Sequence, residues 1–235
     1  MVKAVLPELG EPFVVARGLT QKTPMRTTYQ NVDLDIPRGA LASIVAEDRR
    51  GKTELLLTMV GRMRPTAGKL SVSGLELPKN ERAIRAITGM GFIEEVNDVQ
   101  PLLPLWVIAS AELNLKEKPS GRKATEAFLS EWGFEDKAKV KAESLDKFDR
   151  VRFGVALGMA GGPALLVVDD IEGDLTHAQG KQILSMLHDV AQSHGTTIVV
   201  ACTDYDLGKH ADVVIPISDA ARAQMAAAGE VKSNA

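Results

Sequence analysis

The chain has 235 residues, 45% of them hydrophobic, and 28 Lys and Arg against 31 Asp and Glu give a net charge of −3. A chain of this length buries a sizeable core as one α/β domain, with or without a subdomain. Acids and bases are interspersed, so no nucleic-acid partner is expected, and no run reaches the ~18 apolar residues of a membrane span.

The opening MVKAVLPELGEPFVVARG carries Glu and Pro where a secretory leader needs a continuous apolar stretch. No leader is expected, and any membrane link must go through a partner. NVDLDIPRG alternates apolar and polar residues and ends in Pro-Arg-Gly, which predicts a half-exposed strand closed by a turn. ALASIVA predicts a buried strand running directly into AEDRRGKT. Leu55, Leu56, Met59, Val60 and Met63 then fall at helical spacing, RPTAG stops that helix, and KLSVSG predicts a short strand.

From about residue 97 to 155 the character changes. VQPLLPLWVIAS is rich in Pro and Leu, GRKATEAFLSEWGF is charged and helical, and strand signals are few, so a mainly helical insertion is expected. Alternation of strands and helices then returns. PALLVVDD predicts a strand buried on both faces. HAQGKQILSMLHDVAQSHG places Ile183, Leu184, Leu187, Val190 and Ala191 on one helical face and stops at Gly195. The strands TTIVVACT and DVVIPI follow, then a short helix and a polar tail in DAARAQMAAAGEVKSNA. The single cysteine, Cys202, lies in an apolar run and reads as a buried, inert thiol, which fits a reducing cytoplasm.

The chemistry gathers in two places. Gly51-Lys52-Thr53 follows a strand and opens a helix, the context in which backbone N–H groups and a helix N-terminus converge on phosphates. There a lysine reaches the β/γ oxygens and a hydroxyl holds Mg²⁺. LLVVDD ends a strand with Asp169, suited to holding Mg²⁺ through water, and Asp170, suited to orienting an attacking water. The four histidines show no metal-ligand spacing.

Together these pieces resemble the nucleotide-binding subunit of an ATP-binding cassette (ABC) transporter. The resemblance is carried, in order, by NVDLDIPRGALASIVA, GKTELLLTMVGRMRPTAGKLSVSG, GFIEEV, SLDKFDRVRFGVALGMAGGPALLVVDD and HGTTIVVACTDYD. It implies a P-loop NTPase (RecA-like) α/β core with an antiparallel β-subdomain, over residues 1–96 and 156–235, and an inserted helical subdomain over 97–155. It also implies ATP and Mg²⁺ as cofactors, a sandwich dimer with an identical or a different ABC subunit, and an integral membrane permease subunit as partner. The chain would then be cytoplasmic, peripheral at the inner face of the cell membrane.

The departures from the family pattern cluster at the nucleotide. Ala46 replaces a glycine of the phosphate loop, Arg49 and Arg50 fill positions normally small, and Glu54 stands where a hydroxyl meets the α-phosphate. The arginines either offset Glu54 or pair with Glu47, Asp48 and Glu54 in an empty site. The adenine-stacking aromatic maps onto Thr23, so stacking is lost unless Tyr29 moves in. The glutamine joining metal to helical subdomain maps onto Glu95, and the signature becomes Leu145-Asp146-Lys147-Phe148-Asp149. In a homodimer Asp146 and Asp149 would face the opposite γ-phosphate. The catalytic glutamate becomes Asp170 and the switch histidine Thr203.

Two readings weigh most. In one, an ABC ATP-binding subunit binds Mg-ATP weakly, hydrolyses it slowly or not at all, and acts on a permease. In the other, a structural or regulatory relative carries a vestigial site. A third class, a DNA-repair ATPase or a soluble phosphotransferase, lacks its expected coiled coil or lid. Trp106, in QPLLPLW, divides evenly between subdomain core and docking surface.

Overall fold

The computed structural model describes residues 11–47 and 49–233, with the side chains of Arg50 and of residues 229–233 outside the described set. Asp48 also lies outside the described residues. In chain order the elements are β1 (Pro12–Thr23), β2 (Arg26–Pro37), β3 (Leu41–Val45), α1 (Arg49–Met59), β4 (Ala67–Val72), β5 (Leu75–Glu76), α2 (Glu81–Ala86) and β6 (Thr88–Met90). They continue with α3 (Leu105–Leu115), α4 (Arg122–Glu131), two 3₁₀ turns, α5 (Lys147–Met159), β7 (Leu165–Val168), α6 (His177–His194), β8 (Thr197–Cys202), α7 (Tyr205–Gly208), β9 (Val213–Pro216) and α8 (Asp219–Ser233).

Two sheets result. One is antiparallel, ordered β2-β1-β4-β5, and the other is parallel, ordered β6-β7-β8-β3-β9. β3, β7 and β8 are buried along their whole length, as parallel strands covered on both faces must be. Alternate side chains serve two cores. Ala42, Ile44, Val167, Val199 and Ala201 face the antiparallel sheet and α1, while Leu41, Val45, Leu166, Val168, Val200 and Cys202 face α5 and α6. α6 begins in a capping box of Thr176 and Gln179 and ends at Gly195, whose φ of 63° closes the helix in the left-handed region.

A third core gathers Leu105, Ala109, Phe128, Leu129 and Phe134 against Phe153 and Leu157 of α5. α5 therefore serves two cores, because Val151, Val155 and Met159 on its other face join the second. Residue 155 lies inside this helix. α5 also sits directly on the β6 strand. A Cβ on Gly158 would lie 2.6 Å from the Met90 carbonyl oxygen, and one on Gly89 would lie 2.2 Å from that of Gly158.

The expected strands and the helices after the phosphate loop and in 177–194 are present, but α1 ends at Met59, so that Val60 and Met63, expected on its face, lie in the turn beyond it. β1 and β6 were not expected from the pattern. β1 changes register on β2 between Ala16 and Leu19, around Gly18 at φ 57°, and this bulge breaks the alternation that marks a strand. β6 is three residues long, too short for a period. α8 runs for 15 residues where only a short helix was expected. Among the described residues no helix is long and apolar enough to cross a membrane.

Candidate functional site

The loop from β3 into α1 brings Ala46, Arg49, Lys52 and Thr53 to the carboxyl end of the parallel sheet, where β7 and β8 deliver Asp169, Asp170 and Thr203. Gly51 is needed here for close approach, since a Cβ would lie 2.8 Å from the Thr28 carbonyl oxygen. Lys52 is only 2% exposed. Its ammonium donates to the Ala46 carbonyl and, at 2.8 Å, to Thr203 Oγ1. Burial lowers the Lys52 pKa below the usual lysine value, against the opposing attraction of Glu172, Asp169 and Asp170.

Thr53 Oγ1 donates to Asp169 Oδ2 at 2.6 Å across 116 positions of sequence. A hydroxyl and a carboxylate side by side form an oxygen donor set suited to Mg²⁺. Burial raises the Asp169 pKa, outweighing the hydrogen bond from Thr53 and the charge of Arg49.

Asp170 is turned back into its own loop. Its φ is 48°, Oδ1 accepts the Gly173 N–H at 2.8 Å, and Oδ2 lies 3.3 Å from both Lys147 Nζ and Arg49 Nη2. Both carboxylate oxygens are thus engaged. Burial opposes ionisation, but the Gly173 amide and the two cations outweigh it and hold the carboxyl below its ordinary value. An Asp with glycine three positions on is a turn signature, and that is the sequence signal for this conformation.

The signature-like segment separates into different roles. Asp146 caps α5 by accepting the Asp149 N–H at 2.8 Å and remains exposed. Asp149 is 5% exposed and pairs with Lys137 and, at 2.8 Å, with Arg152. Of the two acids expected to face a partner's phosphate, Asp149 points inward to cations of its own chain. Leu145 and Phe148 are partly buried against the third and second cores respectively, and Lys147 faces Asp170 as described.

Glu95 is exposed with φ 64°, its amide donating to Asp98 Oδ2 at 3.2 Å. Its neighbour Glu94, which the pattern did not single out, instead pairs with Arg49 at 2.7 Å. Glu54 is half-buried, and its Oε2 has no hydrogen-bond partner among the described residues. Thr23 is exposed at the β1–β2 turn, its hydroxyl donating to the Arg26 carbonyl. Tyr29 does not reach that turn. It is 3% exposed, shares a hydrogen bond with Thr58 at 2.8 Å, and burial pushes its pKa up to about 12. Cys202 is buried at the end of β8, and burial raises its thiol pKa.

The sequence missed Glu172. Both its oxygens accept consecutive amides, that of Thr203 and, at 2.9 Å, that of Asp204. A cavity of about 280 Å³ opens beside it, lined also by His177, Thr203 and Asp204.

Residues 29–172 match the family described as ABC transporter. A Methanosarcina acetivorans protein named for ABC transporter ATP binding is 28% identical over 94% of this chain, which spans 44% of that relative's length. The lipoprotein-releasing system ATP-binding protein LolD of Anaplasma marginale is 27% identical, over 80% of this chain and 86% of its own. The dimeric structure of MJ0796, a bacterial ABC transporter cassette, superposes with a TM-score of 0.73 at 22% identity, covering 87% of this chain and 94% of that one.

Proposed function

Since this chain belongs to the ABC transporter family, we propose that it is an ATP-binding subunit that holds Mg-ATP weakly, hydrolyses it slowly or not at all, and acts on an integral membrane permease. The observation carrying this reading is the 2.6 Å contact of Thr53 with Asp169. It joins the two oxygen groups that a phosphate-bound Mg²⁺ requires, beside the Lys52 ammonium and the N-terminus of α1. Bound there, Mg²⁺ would offset the charge of the phosphates. Lys52 would bind phosphate oxygens, Thr53 and Asp169 would orient the metal, and the amides of Gly51 and Lys52 would complete the cradle.

Weak binding follows from what surrounds that cradle. Lys52 must exchange its bonds to Ala46 and Thr203 for phosphate, Glu54 brings a carboxylate near the same helix end, and neither Thr23 nor the buried Tyr29 offers a stacking face. Slow hydrolysis follows from Asp170, whose oxygens are held by Gly173, Lys147 and Arg49, contacts that favour the charged form and make it a weaker base toward water. The same contacts favour a second reading, a structural or regulatory subunit with a vestigial site. Titration calorimetry separates the two: millimolar-range Mg-ATP binding that Lys52→Ala abolishes supports the first, and no heat at millimolar ATP supports the second.

We assign residues 97–155 to a helical subdomain whose core is completed by the rest of α5, and place the permease contact on its exposed Leu102, Leu103, Trp106 and Leu115. Trp106 is 49% exposed while its neighbour Leu105 is fully buried, which favours docking over core for the indole. Dimerisation, with a second copy or with another ABC subunit, would bring Asp146 toward the partner's phosphates. The chain would then lie at the cytoplasmic membrane face through its permease, and copurification from detergent-solubilised membranes tests that placement.

A further inference from the structure

Glu172 forms a bridge that the phosphate-loop chemistry does not require. Its two carboxylate oxygens clasp the consecutive amides of Thr203 and Asp204. Thr203 in turn receives the Lys52 ammonium at 2.8 Å. Contacts thus run from the phosphate loop through the segment after β8 to the segment after β7. Two successive backbone N–H groups converging on the oxygens of one anion is an arrangement proteins use to bind phosphate. Here the anion is internal. Glu172 is also the acid that attracts Lys52 most strongly, ahead of Asp169 and Asp170.

We propose that Glu172 is a tethered stand-in for the terminal phosphate of a nucleotide, so that this site prefers a nucleoside diphosphate to a triphosphate. The proposal rests on the reading that the phosphate loop holds a nucleotide. A lysine of such a loop serves both β- and γ-phosphate oxygens. A diphosphate needs Lys52 for its β-phosphate only and leaves the amides of Thr203 and Asp204 to Glu172. A triphosphate brings a further anionic group toward amides already occupied, next to a carboxylate of like charge. It must displace Glu172 or bind against its repulsion. Thr203 strengthens the discrimination, because a neutral hydroxyl that already accepts from Lys52 adds no positive charge for a third phosphate.

Two measurements test this on the full chain, wild type and Glu172→Gln, a change that keeps the side chain's size and removes its charge. In calorimetric titrations with Mg-ADP and Mg-ATP, the wild type should bind ADP about tenfold more tightly, and Glu172→Gln should reduce that ratio to about one. Equal wild-type affinities, or a preference unchanged in Glu172→Gln, would overturn the proposal while leaving the nucleotide site intact. Binding of neither nucleotide to either protein would overturn the nucleotide reading, and the proposal with it. Amide hydrogen exchange in nucleotide-free protein tests the clasp itself. Thr203 and Asp204 should exchange at least about tenfold faster in Glu172→Gln than in wild type, and equal rates would remove the bridge from which the proposal starts.

Discussion

Lys147 Nζ lies 3.3 Å from Asp170 Oδ2, so the first residue of α5 is charge-paired in its own chain with the acid at the end of β7. Arg49 approaches the same oxygen from the first turn of α1. Three elements therefore meet at one carboxylate. A double-mutant cycle of Lys147→Met and Asp170→Asn, read by urea unfolding, should give a coupling of about 0.5–1 kcal/mol, the scale of a partly exposed pair. A coupling indistinguishable from zero would mean that the contact does not persist in solution.

Asp170 also sets the expectation for catalysis. Because its oxygens are engaged, Asp170→Asn should change the slow ATP turnover proposed above by less than about threefold, where loss of a working general base removes about 10²–10⁴-fold. Turnover of several per second that Asp170→Asn abolishes would contradict this. Gly173→Ala approaches the same question from the loop. Its Cβ would lie 2.5 Å from Asp170 Oδ2 and must push the carboxylate away from its cations, so the coupling with Lys147 should fall in this variant.

The acid limb of stability should be governed by Asp149 and Asp170. For both, burial opposes the charge but hydrogen bonds and neighbouring cations prevail, so the folded-state pKa lies below the unfolded value of about 3.9. Stability from these groups is complete above that value and is lost as pH falls through their folded values. Asp169 acts in the opposite sense. Its pKa is raised by burial, so its contribution favours folding at low pH and disappears as pH rises through the folded value. Urea midpoints measured from pH 7 down to 3 should decline below about pH 4, and Asp149→Asn should flatten that decline at the expense of about 2 kcal/mol at neutral pH.

At the β1–β2 turn an aromatic should restore what Thr23 lacks. Thr23→Tyr is expected to tighten nucleotide binding about tenfold, as base–aromatic stacking contributes about 1–3 kcal/mol. Tyr29→Phe should leave binding unchanged and lower stability by about 1 kcal/mol, the value of its hydrogen bond to Thr58. A fluorescence titration and a thermal melt on the two variants separate these roles.

The exposed indole offers a test of the proposed membrane partner. Trp106→Ser should leave the melting temperature of the isolated chain within about 2 °C, since surface changes rarely exceed about 0.5 kcal/mol, and should deplete the permease from a detergent pull-down. Unchanged recovery of the permease would place the contact elsewhere.

Much of the fold could be read directly. β7 and β8 are continuous apolar runs, α6 carries a capping box and a closing glycine, and the strand, loop and helix around Lys52 need only local pattern. The candidate site was less legible, for reasons of geometry. Nothing in the spacing tells which of Glu94 and Glu95 reaches Arg49, because that depends on the left-handed φ of 64° at Glu95. The family resemblance set Asp149 toward an opposite γ-phosphate, yet Lys137, from a turn twelve residues earlier, and Arg152 draw it inward. Glu172 was invisible because its ligands are backbone amides some thirty residues later in the chain, and an amide carries no sequence signature.

The glycine seat of α5 on β6 has a consequence for packing. With Gly158 pressed to the Met90 carbonyl and Gly89 to that of Gly158, backbone meets backbone at this seat and no room is left there for an added side-chain atom. α3 and α4 reach Phe153 and Leu157 of the same helix through their shared core, so the Trp106 surface and the glycine seat belong to one continuous layer of packing. At the other end of α5 Lys147 touches Asp170, 64 residues beyond Trp106 in sequence.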